Sequence, residues 1–148
     1  MSELSWLKTI GIDFAMNNKD YKQSRLVLTS SLLFLIPALA FAVNKDYVMA
    51  ICITISCIFS VLGDYVYVGQ NGIEAYNYYD IIASALLFCI LITRRFFVYG
   101  EPEAIFVTKI ILPLSLFKYS SMATTQEDWV IRHSLWHIVL VLIFLSEV

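Results

Sequence analysis

The chain has 148 residues, of which 59% are hydrophobic and only 15% charged, and its net charge is −2. Soluble domains carry about 25% charged residues. With a mean hydropathy of +0.75, there is too little polar side chain to coat a water-facing surface, so a soluble globular domain is excluded. The lack of a basic excess argues against nucleic acid as a partner. The three cysteines, Cys52, Cys57 and Cys89, lie in apolar runs without a CxxC pattern. Their odd number excludes a fully paired disulfide framework, and they read as small apolar residues.

Residues 1–25 differ from the rest of the chain. Leu4, Trp6, Leu7, Ile10 and Phe14 fall close to helical spacing, with Lys8 and Asp13 off that face. This pattern predicts a short amphipathic helix at the membrane surface, anchored by Trp6; the alternative is an unordered terminus. The segment has no uninterrupted apolar h-region, so no cleavable signal peptide is expected.

Residues 26–148 read as an all-α, polytopic transmembrane domain of about five spanning helices. A span needs ~20 mainly apolar residues. The five candidates are Leu26–Val43, Tyr47–Val68, Tyr76–Thr93, Ala104–Phe117 and Trp129–Leu145. Pro37 and Pro113 fall inside two of them and predict kinks, because neighbouring helices can re-satisfy the freed carbonyl. Lys109 interrupts the fourth segment, where its long side chain can snorkel. The connections are short: Asn44-Lys45-Asp46, the turn signal Gly69-Gln70-Asn71-Gly72, Arg94 to Glu103, and Ser120 to Asp128.

Five crossings define two faces. The N-terminal face carries Lys8, Lys19, Lys22, Arg25, Lys118 and Arg132, against Lys45, Arg94 and Arg95 on the other. By the positive-inside rule this predicts a multi-pass protein with a cytoplasmic N-terminus. Tyr65, Tyr67, Tyr76, Tyr78 and Tyr79 flank the second turn as an interfacial aromatic belt.

Ionisable groups inside a membrane cost several kcal/mol and mark functional sites by default. Four stand out: Asp64, Asp80, His133 and His137, the last two being the only histidines. His133 and His137 are four residues apart and share a helix face. Two imidazoles on one face suit a transition metal, zinc above all; otherwise they are buried hydrogen-bonding partners of other helices. Threading the chain brings all four groups toward the N-terminal face, with His137 ~6 Å deeper than His133. Ser60 lies four residues before Asp64 on the same face. It either bonds a carbonyl of its own helix or serves the site.

The stretch Arg132-His133-Ser134-Leu135-Trp136-His137-Ile138, together with Ser60-Val61-Leu62-Gly63-Asp64 and Tyr78-Tyr79-Asp80, resembles the CREST superfamily of membrane hydrolases. That group includes the alkaline ceramidases, the progestin-and-adipoQ receptors, the Per1-type proteins and the myomaker-like proteins. The resemblance covers the second, third and last helices. It implies a zinc ion held by His133 and His137, with Asp80 acting on the attacking water and Ser60 supporting the site. Asp64 stands where the family has a histidine, and would be the third zinc ligand. The family core has seven helices where this chain has five, so self-association into a homo-oligomer is one way to complete the bundle. Phe59-Ser60-Val61-Leu62-Gly63-Asp64 is also similar to the SxxGD pattern of lysoplasmalogenase-type membrane proteins.

The resemblance implies a zinc-dependent hydrolase of an amide or ester bond in a membrane lipid. A non-catalytic scaffold or remodelling protein with a structural metal is the alternative, and an open coordination position separates the two. A transporter or proton relay fits less well, because no polar path reaches the second face.

Overall fold

A computed structural model describes residues 21–70, 73–98 and 104–148. The amphipathic helix expected in the N-terminal segment lies outside them. Among the described residues the chain is all-helical. The first span is α1 (Arg25–Leu32) followed by α2 (Leu35–Val43). The second is α3 (Tyr47–Val61), which runs into a π-helical turn over Leu62–Val66. Then come α4 (Ile73–Val98), α5 (Ala104–Ser121) and α6 (Gln126–Leu145).

Four stretches are long and apolar enough to cross a membrane: Arg25–Val43, Tyr47–Val66, Ala75–Arg94 and Gln126–Leu145. The fourth segment of the sequence reading, α5, is a continuous 18-residue helix that carries Lys109 and Lys118; it is not among the four. The side chains are distributed inside out relative to a soluble protein. Leu39, Val43, Phe97, Met122 and Ile131 are more than 60% exposed, while Ser30, Ser31, Ser60, Asp64, His133 and His137 are all buried. An apolar outer surface around a polar interior matches a bundle solvated by lipid.

The two prolines differ in effect. Pro113 sits inside the unbroken α5. Pro37 lacks the N–H that would bond residue 33, and the helix is interrupted at Leu33 and Phe34, one turn earlier. Both residues keep right-handed helical dihedrals, so the span bends without ending. The first turn uses Lys45 in the left-handed region at φ 64°. Asp46 then caps α3 by accepting from the Met49 N–H at 3.3 Å.

The core lies among α2, α3, α4 and α6, where Met49, Ile53, Cys57, Leu87, Trp136 and Phe144 pack together. α6 also packs along α5 and against α1. A satellite cluster of Tyr21, Val27, Val68, Ala123 and Trp129 closes the end of the bundle where α6 begins. At the same end Gly63 lets α3 approach α4. A Cβ there would lie 3.0 Å from Asn77 Oδ1 and 3.4 Å from the Tyr76 carbonyl carbon. Such a gap is too tight for most side chains.

Candidate metal centre

The π-helical turn and α6 supply the candidate ligands. The Tyr67 N–H bonds the Leu62 carbonyl at 2.9 Å, the i→i+5 geometry of a π turn, a feature concentrated at functional sites. This turn carries Asp64 into the bundle interior, where it is buried. On α6 the i,i+4 spacing puts His133 and His137 on the buried face, with ring centroids 4.5 Å apart. Trp129 stacks on His133 at 5.0 Å and Trp136 packs edge-on against it, so the imidazoles are held by aromatic contacts on α6 itself.

One carboxylate oxygen is the focus. Asp64 Oδ2 lies 2.9 Å from His133 Nε2 and 3.7 Å from His137 Nε2. Ser60 Oγ–H donates to the same oxygen at 3.0 Å. One ligand atom from each of Asp64, His133 and His137 falls within 4.8 Å of the others. Donor atoms around tetrahedral zinc, with bonds of ~2.0–2.1 Å, lie about 3.3 Å apart. The two oxygen–nitrogen separations fall on either side of that value, so the group is able to hold a metal ion with small side-chain shifts.

The outer nitrogens of the two rings are also engaged. His133 Nδ1 meets Ser120 Oγ on α5 at 3.2 Å. His137 Nδ1 meets Ser30 Oγ on α1 at 3.1 Å, with Ser31 Oγ at 3.4 Å. A metal-binding histidine usually holds its second nitrogen in this way, which fixes the ring and its tautomer. Ser31 Oγ further contacts Ser60 Oγ at 3.0 Å, and Cys57 Sγ–H donates to the Ser31 carbonyl at 3.3 Å. Four helices therefore converge on three ligands.

Asp64, His133, His137 and Ser60 come together as the sequence reading expects. Asp80 is buried at the same end but stands outside the three-ligand group. It lines a narrow cleft with Ser56, Ser60, Ser84 and His137, and Leu87, Phe88, Leu140 and Phe144 also line that cleft. The Ser56 hydroxyl has no partner there among the described residues.

Ser30, Ser31 and Ser120 are the residues that sequence reasoning missed. Thr29-Ser30-Ser31 is a run of three hydroxyls inside an apolar span, which is a usable signal. Yet serine in a spanning helix commonly bonds its own backbone, as Thr29 does with the Arg25 carbonyl. Only tertiary packing tells the two kinds apart. Comparison with protein-family models, curated proteins and solved structures finds no match.

Proposed function

We propose that the bundle is a zinc-dependent membrane hydrolase acting on an amide or ester bond of a lipid. The observation that carries this reading is the three-ligand group of Asp64, His133 and His137, with a fourth ionisable residue, Asp80, held apart from it in an adjoining cleft. Three protein ligands and an open position characterise catalytic zinc, whereas structural sites are closed by four. The CREST resemblance in Arg132 to Ile138 and in Ser60 to Asp64 points the same way.

Asp64, His133 and His137 would hold the metal. When bound, zinc supplies Lewis acidity and lowers the pKa of water toward ~7. The rest falls to the chain's own groups. Ser60 directs its hydrogen at Asp64 Oδ2 and so orients that carboxylate. Asp80, which lines the adjoining cleft, would accept a proton from the attacking water and return it to the departing amine or alcohol as the carbonyl–heteroatom bond breaks. Leu87, Phe88, Leu140 and Phe144 give this narrow cleft an apolar wall.

The test is release of fatty acid from a panel of ceramides, ester phospholipids and lysolipids by zinc-loaded protein in nanodiscs. Hydrolysis of one class is expected. It should fall by at least ~100-fold in Asp80→Asn, the usual size of a general acid–base contribution, while bound metal is retained. Zinc-loaded protein that hydrolyses none of these lipids sinks the hydrolase reading and leaves the metal-stapled scaffold in its place.

A further inference from the structure

The hydrogens around His137 can be assigned by counting. Five contacts of 3.1 Å or less form a network around it, one of them to its Nδ1. Ser30 Oγ lies 2.9 Å from the Val27 carbonyl oxygen and 3.1 Å from Nδ1. Ser31 Oγ lies 3.0 Å from the same carbonyl and 3.0 Å from Ser60 Oγ. Ser60 Oγ lies 3.0 Å from Asp64 Oδ2. Three hydroxyls supply three hydrogens to these five contacts.

An imidazole protonated on Nδ1 supplies a fourth. One protonated on Nε2 supplies none, and gains only Ser60 Oγ at 3.3 Å and Asp64 Oδ2 at 3.7 Å. The Nδ1–H form therefore satisfies four of the five short contacts and the Nε2–H form three, its ring hydrogen falling on the longer Ser60 contact. Ser60 must donate to the carboxylate, which can only accept, so Ser31 supplies the hydrogen between the two hydroxyls. Ser30 is then the group whose O–H is directed at the Val27 carbonyl and whose oxygen is free to accept from the ring.

We propose that Ser30 is a positioning residue that fixes the Nδ1–H tautomer of His137 and so aims the Nε2 lone pair at Asp64. The consequence rests on the metal-centre reading. A nitrogen lone pair then faces a carboxylate oxygen 3.7 Å away with no hydrogen between them, an arrangement relieved by a cation. The first span thereby becomes part of the centre, not merely packing around it. The helix interruption at Leu33 and Phe34 begins two residues after Ser31.

The test uses the full chain in detergent micelles, labelled with ¹⁵N-histidine. With only two histidines, long-range ¹H–¹⁵N spectra give each ring's tautomer directly, and His133 serves as the internal control for folding. In metal-free wild type, His137 should be Nδ1–H. In Ser30→Ala it should shift toward Nε2–H while the His133 pattern holds, and Ser30→Thr, which keeps the hydroxyl, should restore it. Zinc affinity should fall about 10- to 100-fold in Ser30→Ala, the usual effect of losing an outer partner of a ligand histidine. A wild-type His137 that is Nε2–H or doubly protonated, or a tautomer unchanged in Ser30→Ala, overturns the assignment. A wild type that binds no zinc but loses its Nδ1–H form in Ser30→Ala leaves the assignment standing and removes the metal reading.

Discussion

The two ends of the bundle use polar residues in different ways. At the end where α3 finishes and α6 starts, four helices send hydroxyls, imidazoles and a carboxylate inward to one connected cluster, and all of these groups are buried. At the other end the described residues form two ion pairs near helix termini. Arg94 at the end of α4 pairs with Asp46 at the start of α3, and Lys109 of α5 pairs with Glu147 just past α6 at 2.5 Å. Those pairs are partly exposed and each joins two neighbouring chain segments. Contacts of that kind tie helix ends together. The buried cluster has far more polar atoms than tethering requires, and a membrane interior makes each one costly. That excess is the physical reason for proposing a metal centre at one end and not at the other.

Breaking the buried end should have the largest effect. Asp64→Asn keeps the shape but removes the charge on which both imidazoles converge. Zinc affinity, measured by competition with a chelator, should fall by more than ~100-fold, since even outer-shell changes cost 10–100-fold. A variant that keeps wild-type affinity would show that the carboxylate is not a ligand.

Gly63→Ala probes the placement of that carboxylate. The added methyl meets Asn77 Oδ1 at 3.0 Å and the Tyr76 carbonyl carbon at 3.4 Å, so the Asn77 side chain or the α3–α4 approach must shift. Overpacking of this kind costs about 1–3 kcal/mol, read as a lower midpoint in a detergent melt. An unchanged midpoint would mean that the α3–α4 approach is loose enough to absorb a methyl.

The smallest effect should come from the far end. Lys109→Met removes a pair whose side chains are 25% and 15% exposed. Partly solvated pairs of this sort are worth less than about 1 kcal/mol, and zinc binding should be unaltered. A large loss of metal in Lys109→Met would erase the distinction between the two ends.

Most of the fold was legible in the sequence because lipid imposes a simple rule: runs of ~20 apolar residues must be helices. The spans from Leu26, Tyr47, Tyr76 and Trp129 follow from it. The structure extends the third to Ile73–Val98, since the hydrophobic pattern marks what lipid covers while the helix continues past it. The ligand trio was legible because ionisable residues are rare in such runs and their depth follows from threading. Asp80 shares the trio's depth but not its position, because depth does not fix which way a side chain points. The π turn was not legible, for its i→i+5 bond at Tyr67 depends on how α3 meets α4 at Gly63. Nor were Ser30, Ser31 and Ser120, whose hydroxyls look alike in sequence to Thr29 or Ser115, which bond only their own helices.

The central claim is that the buried end is a metal centre, and metal content tests it most directly. Protein purified in detergent, incubated with zinc and desalted, should retain about one equivalent, as a single three-ligand site requires. His137→Ala, still folded by circular dichroism, should retain none. Folded wild-type protein that retains no zinc, or a His137→Ala variant that retains as much as wild type, would contradict the account.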